Sequence, residues 1–177
     1  MSHDEEPKTL HRAGTRLNSL WATRGLHRDA ILEQVVVILH EEIDRFDWVG
    51  IYVLDGDELQ LHSQRGRPTP HETIPVGRGI CGAAMQANDT IVVPDVKQDD
   101  RYLACNLQTA SEIVVPIRVG NTPVAQIDID SDRPDAFRAS DREFLESIAA
   151  RLGTLLADSA DTLPPTDASL FTDAEPA

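Results

Sequence analysis

The sequence predicts an α+β fold, in which a central antiparallel sheet carries the terminal helices on one face and a ligand cavity on the other. Near both ends of the chain, apolar residues recur every three or four positions, which is typical of amphipathic helices. Between the ends, short β-branched segments are separated by turn residues, as in antiparallel hairpins. A short helix and a long loop remain in the middle of the chain to cover the second face and enclose the cavity.

Three helices are predicted on the first face of the sheet. The first spans about residues 9–24 and the second about 28–46. The third begins after Ser140, where Glu143 three residues later completes a capping box. Their apolar stripes consist of Leu10, Ala13, Leu17, Leu20 and Trp21; of Ile31, Val35, Ile38, Leu39 and Ile43; and of Phe144, Ile148, Leu152 and Leu155. Stripes of this width are expected to be buried against the sheet.

The sheet is predicted from two hairpins and two short strands. Asp55-Gly56 and Gly120-Asn121 supply the turns of the hairpins. The predicted strands are residues 48–54, 58–63, 73–76, 90–93, 112–119 and 124–130. A helix of small residues over 79–88 and a loop over 94–109 lie between the hairpins. Loops of that length in a compact domain are usually functional.

The composition excludes several classes of function. The 177 residues carry 30 acidic and 16 basic side chains, which gives a net charge of −14. A protein that binds nucleic acid or an anionic membrane needs a basic face, so neither partner is expected. No segment approaches the roughly 18 apolar residues of a membrane helix, and the acidic start of the chain is unlike a secretory signal. A cytoplasmic protein is therefore expected.

The chain has two cysteines, Cys81 and Cys105. Because cytoplasmic thiols are kept reduced, a cysteine pair there is more often catalytic than structural. The alternative is that both are unrelated and buried as small hydrophobic residues. Zinc binding is disfavoured, since the two are 24 positions apart with no C-x-x-C pattern and no close histidine. No metal is predicted.

The glycines before Cys81, in Gly77-Arg-Gly-Ile-Cys-Gly82, match the pattern G-x-G-x-x-G. A dinucleotide site needs this pattern within a βαβ unit, whereas here it follows a short strand in antiparallel surroundings. The glycines therefore favour a tight turn that leaves Cys81 near a helix N-terminus, where unpaired amides favour a thiolate. Cys105, in the long loop after Arg101, is the better nucleophile candidate. Such a pair can form a sulfenic acid on one thiol and resolve it as a disulfide.

Three carboxylates, Glu112, Asp128 and Asp130, fall at the ends of predicted strands. Alternation places Asp128 and Asp130 on one face, which is either exposed to solvent or part of a pocket. In a pocket, like charges raise each other's pKa unless a cation is present, so the cluster would hold an ammonium group or protonate a leaving oxygen. Trp48 and Tyr52 also share a face. They would serve as core residues or as an aromatic wall suited to an ammonium or thioether-like group.

Five segments of the chain together resemble the free methionine-(R)-sulfoxide reductases, which are single-domain GAF proteins. The matching segments are Trp48-Val-Gly-Ile-Tyr52, Ile74-Pro-Val-Gly-Arg-Gly-Ile-Cys-Gly82, Ala104-Cys105, Ser111-Glu-Ile-Val-Val-Pro116 and Asp128-Ile-Asp-Ser131. The resemblance covers residues 15–157, which are predicted to form the GAF domain. Residues 1–14 are then an acidic extension, and residues 158–177, with five acids and three prolines, a disordered acidic tail.

The resemblance implies a role for each cysteine. Cys105 resembles the nucleophile that attacks the sulfoxide sulfur, and Cys81 resembles a resolving cysteine. Many family members carry a third cysteine where this chain has His71. The Cys105–Cys81 disulfide is therefore expected to suffice for resolution, the alternative being direct attack by an external thiol. His71 is expected to be a loop histidine.

The resemblance also implies the substrate and its contacts. Glu112, Asp128 and Asp130 resemble the acids that hold the substrate's amino group and assist loss of the sulfoxide oxygen. Trp48 and Tyr52 resemble residues that line the substrate cavity. The family acts on free methionine sulfoxide and is reduced again by thioredoxin. No cofactor is expected, and a homodimer through the N-terminal helices is suggested.

Two other classes of function are weighed against the enzyme. A non-catalytic GAF sensor would bind a small ligand or respond to oxidants through its cysteines. Such a sensor usually accompanies an output domain, and none is predicted in these 177 residues. A cyclic-nucleotide-binding GAF module would need basic or helix-dipole contacts to phosphate, whereas the predicted pocket is acidic. The reductase is therefore the favoured hypothesis.

Overall fold

The chain folds into four helices around a six-stranded sheet, in a computed structural model that describes residues 6–103 and 107–160. The helices are α1, Glu6–Ala22; α2, Arg28–Glu42; α3, Gly79–Ala87; and α4, Ala139–Ala160. The strands are β1, Trp48–Asp55; β2, Glu58–Arg65; β3, Thr73–Pro75; β4, Ile91–Val93; β5, Ser111–Val119; and β6, Thr122–Ser131. One turn of 3₁₀ helix, Val96–Gln98, lies in the long loop before β5.

The sheet has the strand order β3-β2-β1-β6-β5-β4, and every neighbouring pair is antiparallel. The hairpins β1–β2 and β5–β6 form as predicted. The first and last long strands, β1 and β6, pair with each other at the centre and so join the two hairpins into one sheet. The short strands β3 and β4 form its two edges.

The main hydrophobic core lies between one face of the sheet and helices α1, α2 and α4. Strand residues at alternate positions point into it because successive side chains of a strand face opposite sides. The buried strand residues of this core are Val49, Ile51, Ile113, Val115, Ile117, Ala125, Ile127 and Ile129. Each of the valine and isoleucine side chains in this list contributes about 1.5–3 kcal/mol on full burial. The prediction that the terminal helices cover one face is confirmed.

A second hydrophobic cluster covers the opposite face of the sheet and contains α3. Its buried members are Trp48, Tyr52, Leu59, Ile74, Ile80, Cys81, Ala84, Met85, Val93, Val96 and Val114. The short helix therefore lies over the second face, as the element order predicts. Among the described residues, no helix combines the length and apolarity that crossing a membrane requires.

The second helix ends four residues earlier than predicted. Ile43 has an extended backbone, with φ −122° and ψ 92°, and its N–H donates to the Leu39 carbonyl as a helix cap. Phe46 then donates its backbone N–H to the Ile43 carbonyl at 2.8 Å. Both Ile43 and Phe46 are buried in the main core. The turn lets both side chains reach that core, and this overrides the helical periodicity of the sequence.

The predicted capping box of α4 is wrong. The helix begins at Ala139, and it is Asp141, not Glu143, whose carboxylate accepts the backbone N–H of Arg138 at 2.8 Å. Asp141 is buried and also forms an ion pair with the buried Arg45. The ion pair with Arg45, which is distant in the sequence, therefore determines which residue caps α4. The ends of the predicted domain, residues 15–157, remain predictions, and residues 161–177 of the predicted tail lie outside the described residues.

Candidate active site

The sheet face beneath α3 brings together most of the predicted site residues. We call it the α3 face and define it by residues that are cross-strand neighbours. These are Trp48, Gly50 and Tyr52 of β1; Gln126, Asp128 and Asp130 of β6; and Glu112, Val114 and Pro116 of β5. Asp130 pairs with both Trp48 and Glu112, and Asp128 pairs with Gly50. Segments that are distant in the sequence thus place these side chains next to one another on adjacent strands.

Cys81 reaches this face from the first turn of α3. Gly77 and Gly79 adopt positive φ values of 84° and 71°, which a residue with a side chain rarely does, and so turn the chain sharply into the helix. Cys81 is 5% exposed, and its Sγ donates to Oδ2 of Asp128 at 3.1 Å. The predicted position near a helix N-terminus is confirmed, and the thiol is in direct contact with a carboxyl group.

The three carboxyl groups are all buried on this face. Burial raises the pKa of Asp128 to about 7, against the opposing effect of the Cys81 hydrogen bond. Burial, and then the negative charge of Asp128, raise the pKa values of Glu112 and Asp130 well above the usual range of carboxyl groups. The cluster therefore retains protons near neutral pH. It can release them when a cation arrives, or donate one to a bound oxygen.

The arginines that act on this cluster are paired with other acids. Arg67 lowers the pKa of Asp130 but forms a two-bond ion pair with Asp132. Arg101 lowers the pKa of Glu112 but is hydrogen-bonded to Asp99. Neither guanidinium forms an ion pair with the three buried carboxyls in the part of the chain that the structure describes. An external cation would therefore be the natural counter-ion of the cluster.

The two aromatic residues lie side by side on the same face. The ring centroids of Trp48 and Tyr52 are 6.4 Å apart. The Tyr52 hydroxyl donates to the backbone carbonyl of His71 at 2.8 Å, which ties the loop before β3 to this face. The Trp48 indole lies over Gly50, and any Cβ at position 50 would collide with it. Gly50 thus provides the space that the indole ring of Trp48 occupies.

A metal ion could also fit part of the cluster. One ligand atom each from Cys81, Glu112 and Asp128 lies within 4.8 Å of the other two. The separation of the two cysteines disfavours a zinc site made of cysteines and histidines alone, and this cluster differs because two of its three ligands are carboxyl groups. The same three groups equally suit an ammonium ion, and the absence of a metal stays a prediction.

Six of the seven predicted site residues share this site: Trp48, Tyr52, Cys81, Glu112, Asp128 and Asp130. Cys105 lies outside the described residues. Four residues of the α3 face were not among the predicted site residues: Gly50, Val114, Pro116 and Gln126. Strand alternation could have found Gln126, which is two positions before Asp128, whereas nothing in the sequence indicated where the Trp48 ring packs.

Comparisons with known proteins agree on one family. The GAF domain model matches residues 27–156 of this chain. A protein of Escherichia coli K12 named free methionine-R-sulfoxide reductase is 35% identical over 128 residues, which are 72% of this chain and 77% of that protein.

Two solved structures of similar proteins contain a bound substrate. The free methionine-R-sulfoxide reductase from Neisseria meningitidis, in complex with its substrate, superposes with a TM-score of 0.81 at 28% identity, over 92% of this chain and 96% of that one. The substrate complex of the Staphylococcus aureus fRMsr gives a TM-score of 0.75 at 35% identity, over 83% and 95% of the two chains.

Proposed function

The chain belongs to the GAF domain family and, within it, to the free methionine-R-sulfoxide reductases, and from this premise we propose how its own residues perform the reduction. The predicted family and the predicted GAF fold are confirmed. The protein is an enzyme that reduces free methionine-R-sulfoxide. The observation that carries the mechanism is the buried contact between the Cys81 thiol and Asp128, beside Glu112 and Asp130.

The substrate's ammonium group is bound by the carboxyl cluster. Glu112 and Asp130 are direct cross-strand neighbours at one end of the α3 face. Since burial and then the negative charge of Asp128 raise their pKa values, a bound cation lowers these pKa values and the carboxyls ionise. Trp48 and Tyr52 form the apolar wall for the side chain of the substrate. A free amino acid satisfies this site because its ammonium group is not part of a peptide bond.

The oxygen transfer is assigned to Cys105. Its thiolate attacks the sulfoxide sulfur and forms a transient S–S bond, while the sulfoxide oxygen takes up a proton. The S–O bond and the transient S–S bond then break as the oxygen passes to Cys105, which leaves a sulfenic acid on Cys105 and releases methionine. The sulfur of the substrate is reduced and that of Cys105 is oxidised. The proton that the oxygen needs comes from Asp128, because a buried carboxyl with a pKa of about 7 retains a proton at neutral pH and can donate it.

Resolution is assigned to Cys81. After Asp128 has donated its proton, it is a carboxylate whose Oδ2 lies 3.1 Å from the Cys81 sulfur. It can therefore accept the thiol proton as Cys81 attacks the sulfenic acid and pass that proton to the leaving hydroxyl group, which forms the Cys81–Cys105 disulfide and releases water. Leu103, two positions before Cys105, packs close to Gly79, two positions before Cys81. This contact supports a pairing of the two cysteines.

Recycling requires a dithiol from outside the chain. A thioredoxin-like protein reduces the Cys81–Cys105 disulfide and is itself oxidised, which also makes a reducing cytoplasm the proposed location. His71 occupies the position of the third cysteine found in many relatives, and its backbone carbonyl is engaged by Tyr52. Cys81 is therefore the proposed resolving thiol. The homodimer through the N-terminal helices stays a prediction.

A single turnover without reductant tests this scheme. Reduced protein is mixed with excess free L-methionine-(R)-sulfoxide, the methionine is quantified, and the cysteines are mapped by peptide mass spectrometry. We expect one methionine per chain and a disulfide between Cys81 and Cys105. Thioredoxin with its reductase, or a small dithiol, should then restore turnover. A stable sulfenic acid at Cys105 with no disulfide would contradict the resolving role of Cys81 but leave the reductase activity standing.

A further inference from the structure

Gln126 is a buried polar residue of the α3 face that the mechanism above does not use. Its side chain is 0% exposed, yet both Oε1 and Nε2 are buried without a hydrogen-bond partner among the described residues. Burying an unpaired amide is unfavourable, and an apolar residue of similar shape would avoid that cost. A group outside the described part of the protein, such as a ligand or an ordered water, is therefore expected to pair with it.

The neighbours of Gln126 indicate which group that is. It is the cross-strand partner of Tyr52 and precedes Asp128 by two positions on the same face. Alternate residues of a strand are about 7 Å apart, so Asp128 has Asp130 on one side and Gln126 on the other at similar spacing. Oδ1 of Asp128 is likewise buried without a partner among the described residues. The unpaired polar atoms of Asp128 and Gln126 therefore extend the polar surface of the carboxyl cluster towards Tyr52.

We propose that Gln126 determines specificity for the sulfoxide, with its Nε2 donating a hydrogen bond to the sulfoxide oxygen of the bound substrate. This inference rests on the proposed function. With the ammonium group at Glu112 and Asp130, the other end of an extended substrate points along the row towards Asp128 and Gln126. A sulfoxide oxygen is a strong acceptor, whereas the thioether sulfur of methionine is a weak one. The carboxamide therefore favours substrate over product.

The proposal is tested with Gln126→Met, which keeps the length of the side chain and removes both polar atoms. Binding of L-methionine-(R)-sulfoxide and of L-methionine is measured by calorimetry in the Cys105→Ser background, where oxygen transfer is blocked. We expect Gln126→Met to weaken sulfoxide binding about tenfold, the loss typical of one hydrogen bond, and to leave methionine binding unchanged. Its thermal unfolding midpoint should equal or exceed that of the parent, because an unpaired buried amide is removed.

Gln34→Met is the matched control, since Gln34 is exposed on α2, on the opposite side of the sheet. It should change neither affinity. Equal weakening of both ligands by Gln126→Met would show a packing role and overturn the proposal. Unchanged binding of both would show that Gln126 pairs only with water, and would also overturn it. Failure of the reductase itself is distinguishable, because it would appear as an absence of methionine formation by the unmutated protein.

Discussion

A Cys105→Ser substitution is expected to lower kcat for reduction of free methionine-R-sulfoxide by at least about 10³-fold. Serine keeps the size of the side chain, but its hydroxyl is a far weaker nucleophile than a thiolate and cannot accept the oxygen as a sulfenic acid. Folding should be unaffected, as judged by the thermal unfolding midpoint. The rate is measured as methionine formed with a small dithiol as reductant.

Cys81→Ser is the matched control for this experiment. Because Cys81 acts only after the first methionine has left, the variant should still form one methionine per chain in a single turnover, and then stop with thioredoxin as reductant. A small dithiol should restore part of its activity by attacking the sulfenic acid directly. If Cys105→Ser kept its rate while Cys81→Ser lost the first turnover, the roles of the two cysteines would be reversed.

An Asp128→Asn substitution is expected to lower kcat about 10²-fold, the usual contribution of a general acid. The pH dependence gives a sharper test. The active form has Asp128 protonated, and this fraction falls as the pH rises through the pKa of about 7. The kcat/KM of the unmutated enzyme should therefore decline on the alkaline side of about pH 7. Asparagine does not titrate, so the variant should lack this decline.

Asp135→Asn is the control for the change of carboxylate to amide. Asp135 has an exposed side chain and a positive φ of 51°, a conformation that asparagine also adopts readily. The rate and pH profile of the Asp135→Asn variant should match those of the unmutated enzyme. An Asp128→Asn variant that retained the alkaline decline would show that another group supplies the proton, and the role of Asp128 would have to be withdrawn.

The overall fold was predictable because each helix and strand has a signal in its own local sequence. The apolar stripes of the terminal helices and the turns at Asp55-Gly56 and Gly120-Asn121 depend on residues close in sequence. Alternation along β6 places Asp128 and Asp130 on one face irrespective of the rest of the protein. Whether this face is buried depends on what packs against it, and the sequence was consistent with both an exposed and a buried face.

The features that escaped prediction depend on contacts between distant segments. Asp141 caps α4 because it also pairs with Arg45, almost a hundred positions earlier. Gly50 is required because the indole of Trp48 lies across it, which depends on the packing of the ring and not on periodicity. Strand alternation alone places Gln126 on the same face as Asp128. Its position beside Asp128 becomes informative only once both are known to be buried.

The most direct test is a comparison of the two diastereomers of free methionine sulfoxide. The purified protein is incubated with L-methionine-(R)-sulfoxide or L-methionine-(S)-sulfoxide and a dithiol, and the methionine formed is measured over time. We expect catalytic formation of methionine from the R form and none above background from the S form. No methionine from the R form, with the protein folded and Cys105 reduced, would contradict the assignment of this chain as a free methionine-R-sulfoxide reductase.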